Sequence, residues 1–457
     1  MNLEKLNTIY FIGIGGIGMS ALARYFNARG KNVSGYDKTP TPLTQQLINE
    51  GIEIHFEENI KMLPEKIDLV VYTPAIPSTH TELKYFKENG YEIKKRSEVL
   101  GLLTKDNFTI AVAGTHGKTT ISSMLAHIFK SSGINILGFI GGITQNYDSN
   151  FFNSENFKAV IVEADEYDRS FLQLHPDIAV ISSMDADHLD IYGDKNYMLE
   201  SYNLFAKQIK KNGKLIYKKS LPVAGNTGNP KYQYSAFAVA DYYAERIKKN
   251  GAHYKFYFNS DELKNEEINL QTDAFYNVEN AVAAIAVCLN FGLNIEQIKS
   301  ALASYKGVKR RFEYQVKSDK IIYIDDYAHH PEELKACINS VKKLYPGKKI
   351  TGVFQPHLYT RTRDFADEFA RSLELLDELI LLEIYPAREL PIEGVSSKML
   401  FNKVNINNKS SCSKEQLVDI LKNKKTEIIL TLGAGDIDQL VIPIKEMLLG
   451  KYKIKNV

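Results

Sequence analysis

The chain of 457 residues is too long for a single ordinary hydrophobic core, and at about 150 residues per domain it predicts roughly three domains. Its 57 lysines and arginines nearly balance 55 aspartates and glutamates, so a net charge of +2 gives no electrostatic case for binding nucleic acid or a membrane. Three scattered cysteines, Cys288, Cys337 and Cys412, show neither metal-ligand spacing nor a disulfide framework, and no apolar run is long enough to span a bilayer.

The first predicted unit combines parallel strands with a helix. A strand at residues 8–12 runs into a glycine-rich turn, a helix follows from Ile17 to about residue 28, and a second strand covers residues 32–36. Another strand, at residues 68–72, ends in a proline-broken turn. The chain enters its first strand without an apolar signal segment, so we expect a cytoplasmic protein.

A second unit begins with an apolar strand at residues 109–113. A glycine loop follows it, a helix begins near Lys118, and residues 158–162 and 177–182 are predicted as later strands of the same sheet. This alternation of short strands and helical patterns is typical of an α/β protein with largely parallel sheets.

A third unit begins at residues 321–324, directly after the polar segment 317–320. Helical patterns alternate there with strands near residues 350–354, 379–382 and 428–431. We place the boundaries near residues 105 and 317, which gives domains over residues 1–105, 106–316 and 317–457.

The first glycine loop, residues 13–18, matches the G-x-G-x-x-G pattern between a strand and a helix, and Asp37 ends the next strand about 20 residues later. Glycines such as Gly15, Gly16 and Gly18 let the backbone approach a pyrophosphate, and the helix N-terminus offers its free N–H groups to the charge. The pattern predicts a site for a pyrophosphate diester. A glycine turn that binds nothing is the alternative.

The second glycine loop, residues 114–120, also joins a strand to a helix. Its backbone amides can cradle phosphates, Lys118 can neutralise the β- and γ-phosphate oxygens, and the Thr119 hydroxyl can reach Mg²⁺. The loop is shorter than the usual P-loop pattern, whose first glycine would fall at Val112. It predicts an ATP site, with a loop that binds no nucleotide as the alternative. The predicted ATP-binding residues of this loop are Gly114, Thr115, His116, Gly117, Lys118, Thr119 and Thr120.

Carboxylates cluster where the two following strands end. Residues 162–168 contain Glu163, and residues 185–190 contain His188 among three aspartates. Because ligands bind at the carboxyl ends of parallel strands, these side chains should face the ATP phosphates. Carboxylate and imidazole groups near the ATP phosphates predict a second divalent ion beside the one on Thr119, with a purely structural His188 as the alternative.

Seven motifs, taken in this order, resemble the Mur ligase family over essentially the whole chain. They are GIGGIGMS at residues 13–20, GTHGKTT at 114–120, VEADEYD at 162–168, DADHLD at 185–190, KRRFE at 309–313, DDYAHHP at 325–331 and FQPHLYTRTRD at 354–364. The resemblance implies three α/β domains: an N-terminal Rossmann-like domain for a UDP sugar, a central P-loop ATPase-type domain, and a C-terminal Rossmann-like domain that receives an amino acid.

The activity that this resemblance implies is ATP-dependent ligation in peptidoglycan synthesis. L-Alanine would be joined to the lactyl carboxylate of UDP-N-acetylmuramate through an acyl phosphate, with ATP and Mg²⁺ required. We expect neither nucleic acid nor membrane as a partner, and a monomer or weak homodimer.

The resemblance also assigns roles to single residues. Those expected at the UDP group are Gly15, Gly16, Gly18 and Asp37. Asn277 and Asn280 would lie on the adenine side, while Arg311 and Asp326 would reach ATP across a domain interface. The amino-acid side would comprise Tyr327, His329, His357 and Arg361. Thr119, Glu163 and His188 would coordinate one or two Mg²⁺ ions. The residues expected to act in catalysis are Lys118, His188, Arg311, His329 and Arg361.

Some of these residues have simpler interpretations. Asn277 can cap the apolar helix that follows it. Arg310 and Arg311 can form a solvated basic turn. His329 and His330 can stabilise a helix start through ordinary hydrogen bonds.

The sequence departs from the family pattern at three places. Tyr276 stands where many relatives have histidine, which changes hydrogen bonding on the adenine side, and Leu358 stands where close relatives often have arginine. Several sister ligases carry a carbamylated lysine shortly after the DH motif, but residues 201–204 are Ser-Tyr-Asn-Leu, so we expect no such modification there.

Three competing functions remain open from the sequence. A sister ligase that attaches a recycled tripeptide to the same sugar nucleotide would share the first two domains. An NAD-dependent oxidoreductase would explain residues 13–18 alone, and a non-enzymatic nucleotide-binding switch would explain residues 114–120 alone. Two nucleotide sites argue against a dehydrogenase, because hydride transfer does not need the second.

Overall fold

The computed structural model describes residues 1–187, 192, 194–223, 228–250, 253–387 and 389–454. Three sheets follow one another along the chain, each flanked by helices, which confirms the predicted three-domain α/β fold. Within the described ranges, none of the helices is both long and apolar enough to cross a bilayer.

The N-terminal domain is a five-stranded parallel sheet in the order β3-β2-β1-β4-β5. Its strands are β1 (Thr8–Ile12), β2 (Asn32–Tyr36), β3 (Glu53–His55), β4 (Leu69–Tyr72) and β5 (Ile93–Lys95). Its helices are α1 (Ile17–Asn27), α2 (Pro42–Asn49), α3 (Thr81–Glu88) and α4 (Arg96–Lys105). The strand order reverses at β1, so the glycine loop after β1 lies at the switch point where open α/β sheets bind ligands.

The described part of the central domain forms a ten-stranded sheet, β15-β14-β13-β12-β11-β10-β6-β9-β7-β8. Its strands are β6 (Thr109–Ala113), β7 (Ile136–Thr144), β8 (Ser149–Phe152), β9 (Ala159–Ala164), β10 (Ile178–Ile181), β11 (Lys214–Lys218), β12 (Lys231–Ser235), β13 (Tyr242–Asn250), β14 (His253–Asn259) and β15 (Glu266–Leu270). Its helices are α5 (Lys118–Ser131), α6 (Lys195–Lys207), α7 (Asn277–Phe291) and α8 (Ile295–Ser304). In the sheet order just given, the strands from β13 to β7 run parallel, whereas β8, β14 and β15 are joined to the sheet through antiparallel pairs.

The C-terminal domain is built on the sheet β16-β17-β21-β18-β19-β20, parallel except for β16. Its strands are β16 (Glu313–Lys317), β17 (Ile322–Asp326), β18 (Ile350–Phe354), β19 (Glu378–Leu381), β20 (Lys409–Ser411) and β21 (Ile428–Leu432). Its helices are α9 (Pro331–Leu344), α10 (Tyr359–Asp364), α11 (Ala366–Leu373), α12 (Ser397–Lys403), α13 (Lys414–Asn423) and α14 (Val441–Tyr452). Short 3₁₀ helices elsewhere in the chain cover Leu3–Lys5, Ile60–Met62, Tyr167–Gln173 and Asp436–Leu440.

The buried parallel strands agree best with the sequence analysis. Strands β1, β2, β6 and β18 have the predicted bounds. The largely apolar and buried runs of β1, β6 and β18 are flanked by clear turn residues. The antiparallel strands β13, β14 and β15 were not predicted, since half-exposed polar strands carry a weak signal. Strand β16 pairs with β17 of the third sheet although it precedes the boundary placed at residue 317.

Three neighbouring strands bring the predicted phosphate residues together at their carboxyl ends in the central sheet. Ala113, at the end of β6, lies in register with Ala164 of β9 and with Ile181 of β10. The loops that follow these strands therefore start side by side, and they carry the predicted phosphate and metal residues.

Candidate active site

The loop at residues 114–120 has the backbone shape that its glycines permit. Gly114 and Gly117 have φ of +133° and +87°, in the region that favours glycine. A β-carbon on Gly114 would meet the Ser183 amide nitrogen at 2.8 Å, and one on Gly117 would meet Asn280 Oδ1 at 2.8 Å. Both glycines are needed because the loop passes close to the end of β10 and to α7.

Hydrogen bonds to the segment that follows β10 fix this loop. The Ser183 hydroxyl accepts the His116 amide at 2.7 Å, and Ser182 Oγ donates to the His116 carbonyl. The Thr115 hydroxyl donates to the Asp185 carbonyl at 2.8 Å. The loop is thus held open at the N-terminus of α5, where the first amides of the helix can bind phosphate.

Lys118 is paired with a carboxylate that the sequence analysis did not assign. Its Nζ donates to Glu166 at 2.9 and 2.8 Å and to the Gly114 carbonyl at 2.7 Å. Burial alone would lower the pKa of Lys118, but nearby carboxylates, Glu166 foremost, raise it above its ordinary value. Glu166 is almost fully buried, so the lysine is a fixed cation rather than a mobile surface group.

Thr119 and Glu163 lie together as predicted for a metal site. The Thr119 hydroxyl donates to Glu163 Oε1 at 3.0 Å, and the Gly141 amide donates to Oε2 at 2.9 Å. Burial raises the pKa of Glu163. His188, the third predicted ligand, lies outside the described residues.

These two oxygen donors fit Mg²⁺, which uses one or two protein ligands together with phosphate oxygens and water. Among the residues that the structure describes, no group of three His, Cys, Asp or Glu side chains could hold a metal by itself.

Next to the loop, a cleft of about 280 Å³ reaches across to the C-terminal domain. Lys118 and Thr119 line it together with Asn280 of the predicted adenine side and Tyr276. Asn280 donates to Asn277 Oδ1 at 3.0 Å, and Asn277 in turn donates to the Thr272 hydroxyl at 3.0 Å. Asn277 is the first residue of α7 and its side chain does not cap the helix, so the capping interpretation is wrong.

Asp326, at the end of β17, shapes the turn that faces this cleft. Its carboxylate accepts the amides of Phe312 at 2.7 Å and Ala328 at 2.8 Å, and the Tyr276 hydroxyl lies 3.5 Å away. Burial raises the pKa of Asp326 to about 6. Tyr276, which departs from the family pattern, thus contacts the C-terminal domain through its hydroxyl.

The two arginines of residues 310–311 do not form a solvated turn. Arg310 donates through Nε to the buried Asp325 at 3.1 Å and through Nη2 to the Gly433 carbonyl at 2.7 Å. The Arg311 guanidinium lies 5.0 Å from the centre of the Tyr327 ring and 3.8 Å from Glu333, in the lining of the cleft. Arg310 is held by Asp325 and the Gly433 carbonyl, whereas Arg311 is the arginine that lines the cleft.

The predicted amino-acid residues cluster on the C-terminal domain. The ring of His329 lies 5.2 Å from that of Tyr327 and 5.9 Å from that of His357. Burial lowers the pKa of His329 to about 4, so its imidazole is neutral near pH 7. Because the Tyr327 carbonyl, 2.9 Å from Nδ1, can only accept, Nδ1 carries the proton and Nε2 is an acceptor.

Arg361 forms a buried ion pair across the domain interface. Its guanidinium donates to Asp187 of the central domain at 3.1, 2.8 and 3.1 Å, and Nη1 lies 3.2 Å from His357 Nδ1. Asp187 belongs to the DADHLD motif, but its residue type alone did not predict this contact. His330 caps α9 by accepting the Glu332 amide at Nδ1, which agrees with the alternative that this histidine stabilises a helix start.

The first glycine loop leaves no room for a side chain at two of its three assigned glycines, Gly15 and Gly18. The Gly15 amide donates to Asp37 Oδ2 at 2.7 Å, and a β-carbon on Gly15 would meet that oxygen at 2.8 Å. A β-carbon on Gly18 would clash with the Arg96 guanidinium, whereas one on Gly16 would meet nothing closer than 3.5 Å. Asp37 thus holds the loop itself, beside the switch point of the sheet.

Models of three domains of one family match successive segments of the chain. They are the Mur ligase family, catalytic domain, over residues 8–108, the Mur ligase middle domain over residues 112–288, and the Mur ligase, glutamate ligase domain over residues 310–435. The UDP-N-acetylmuramate–L-alanine ligase of Parabacteroides distasonis is 50% identical over 455 residues, which cover 98% of each chain.

Two solved structures resemble the chain over nearly its full length. The UDP-N-acetylmuramate-alanine ligase from Thermotoga maritima has a TM-score of 0.82 at 26% identity, with 98% of this chain and 99% of that chain covered. A murein peptide ligase from Psychrobacter arcticus has a TM-score of 0.75 at 23% identity, with 99% and 100% covered, a likeness that shows the fold alone.

Proposed function

Because the chain belongs to the Mur ligase family, we propose that it catalyses the ATP-dependent joining of L-alanine to UDP-N-acetylmuramate, a step of peptidoglycan synthesis. The observation that carries this conclusion is the 50% sequence identity to an L-alanine ligase over nearly the full length of both chains. It favours the ligase over an oxidoreductase or a nucleotide-binding switch. The reaction would take place in the cytoplasm, and the protein would act as a monomer or weak homodimer.

The first chemical step activates the sugar acid. An oxygen of the lactyl carboxylate attacks the γ-phosphorus of ATP, the bond from that phosphorus to the β–γ bridging oxygen breaks, and ADP leaves. Lys118 and Arg311 offset the negative charge on the transferring group. Thr119 and Glu163, with His188 from the sequence, would hold Mg²⁺, which supplies further charge neutralisation when bound.

The second step forms the amide. The alanine ammonium loses a proton to water, its amine attacks the acyl carbon, and the carbon–oxygen bond to phosphate breaks while the amine's second proton leaves with the phosphate. His329, with a pKa of about 4, is too weak a base to take the ammonium proton. Its neutral Nε2 instead orients the amine by accepting a hydrogen bond, and Arg361 and His357 contact the alanine carboxylate.

Phosphate release from ATP tests the proposed function. We expect release to require both UDP-N-acetylmuramate and an amino acid, with alanine preferred over glycine and serine by a modest factor, because one methyl group is worth about 1–3 kcal/mol. No nicotinamide cofactor should be needed. Release driven by a tripeptide but not by alanine would instead identify the sister ligase.

Replacing Glu163 with glutamine is expected to raise the Mg²⁺ concentration for half-maximal activity about tenfold or more, because the metal site loses a charged ligand. His188→Ala should shift the titration in the same direction. The measurement is a Mg²⁺ titration of phosphate release at fixed ATP. Glu296→Gln is the control, since Glu296 is exposed and pairs with Lys299 on its own helix. Titrations of both site variants that overlay the wild type would remove these residues from the metal site.

A further inference from the structure

Glu333, in the first turn of α9, contacts three cationic or polar groups from three different segments. Its Oε1 lies 3.2 Å from His116 Nδ1 in the phosphate loop and 3.8 Å from Arg311 Nη1. Its Oε2 accepts the His329 amide at 3.1 Å and lies 3.3 Å from His329 Nδ1. One oxygen thus serves the nucleotide side and the other serves the amino-acid side.

The neighbouring Glu332 shows what an ordinary helix-surface glutamate does here. Glu332 is exposed and forms a loose pair with Lys335 on the same helix. Glu333 is largely buried, and although burial opposes its charged form, the surrounding His329, His116 and Arg311 hold the pKa of its carboxyl well below its usual range. The same contact raises the pKa of His116, whose other nitrogen lies 3.5 Å from Asp185.

Burying a carboxylate among cations is a poor way to gain stability, because desolvation offsets most of the attraction. The partners of Glu333 instead suggest what the carboxylate is for. His116 belongs to the phosphate loop of the central domain, whereas Glu333 belongs to the C-terminal domain. Arg311 precedes the first strand of the C-terminal sheet and faces the nucleotide cleft.

We propose that Glu333 is a positioning residue for phosphoryl transfer, one that ties the phosphate loop, through His116, and Arg311 to the docked C-terminal domain. This inference rests on the proposed function. Docking of the C-terminal domain then sets the geometry of the phosphate loop and of Arg311 together. Phosphoryl transfer from ATP is therefore fast only when the C-terminal domain, which carries the predicted amino-acid residues, is docked.

A double-mutant cycle on Glu333 and His116 tests this inference. Glu333→Gln keeps the size of the side chain but removes its charge, and we expect kcat for phosphate release to fall about 10- to 100-fold, as for other outer partners of a reactive group. The KM for ATP and its calorimetric affinity should change less than about threefold, because the loop amides still bind phosphate. His116→Asn should give a similar loss of kcat. Because the two residues act through one contact, the double variant should have a kcat only slightly below that of the less active single variant.

The control is Glu368→Gln, since Glu368 lies on α11 of the same domain in an exposed pair with Arg371. Strictly multiplicative effects in the cycle, an unchanged kcat, or a loss that follows thermal unfolding and ATP affinity would each overturn the inference. If Glu333→Gln does not fold, His116→Asn decides alone, and a wild-type kcat in that variant would overturn it. Failure of the proposed function is distinct, because wild-type protein would then release no phosphate with alanine and UDP-N-acetylmuramate.

Discussion

Replacing Lys118 with alanine is expected to lower turnover by at least about 100-fold, since a preorganised charge at the transferring group typically contributes that much. Lys118 is the cation at the N-terminus of α5, and hydrogen bonds to Glu166 and the Gly114 carbonyl hold its ammonium beside the phosphate loop. Phosphate release at saturating ATP, alanine and UDP-N-acetylmuramate measures the loss.

The same substitution should also destabilise the protein, contrary to what an exposed loop lysine would do. Removing the ammonium leaves Glu166 buried without its charged partner, and breaking such a pair costs about 3–5 kcal/mol. The double variant Lys118→Ala with Glu166→Gln removes the orphaned charge, so its thermal midpoint should recover most of the loss. Its turnover should stay as low as that of Lys118→Ala.

This pairing of variants separates a folding defect from a catalytic one. Lys403→Ala serves as the control, because Lys403 forms an exposed pair with Asp367 far from the phosphate loop. Turnover above about one percent of wild type in Lys118→Ala would contradict the phosphate role. So would a double variant that recovers turnover together with stability.

The phosphate loop shows how much the sequence can predict. Strand β6, the loop and the start of α5 at Lys118 were all predicted with their bounds, because one short segment contains the apolar strand, the glycines and the helix start. The predicted neighbourhood of Thr119 and Glu163 follows from strand order alone, since β6 and β9 pair in parallel and end together.

Contacts between domains could not be predicted in the same way. Glu333 meets His116, and Asp187 meets Arg361, only because the C-terminal domain packs against the central one, and the residues of each pair are more than 170 positions apart in the chain. Glu166 lies in a motif that was singled out, but which of its carboxylates would face Lys118 depends on the turn after β9. Residues Asp168 and Arg169 in that turn have φ of 54°, which no residue pattern there indicated.

Arg361 was predicted to lie on the amino-acid side, where it could bind the alanine carboxylate or the nearby acyl phosphate, and its observed partner gives that prediction a sharper form. Nε and Nη2 are engaged by Asp187, so the guanidinium is held in a fixed plane with Nη1 towards His357. A guanidinium fixed in this way can still donate to an incoming carboxylate without losing much freedom. Arg361 can therefore join the domains, bind alanine, or do both.

Arg361→Ala is expected to lower amide formation about 100-fold while ATP and UDP-N-acetylmuramate bind near wild-type strength. Asp187→Asn separates the two roles, because it breaks the ion pair between domains but leaves the guanidinium. If Arg361 binds the alanine carboxylate, its loss should raise the alanine KM well above the value in Asp187→Asn. Calorimetry for both nucleotides and an alanine titration of phosphate release decide the matter. Equal alanine kinetics in the two variants would reduce Arg361 to a contact between domains, and lost ATP binding would move it to the nucleotide.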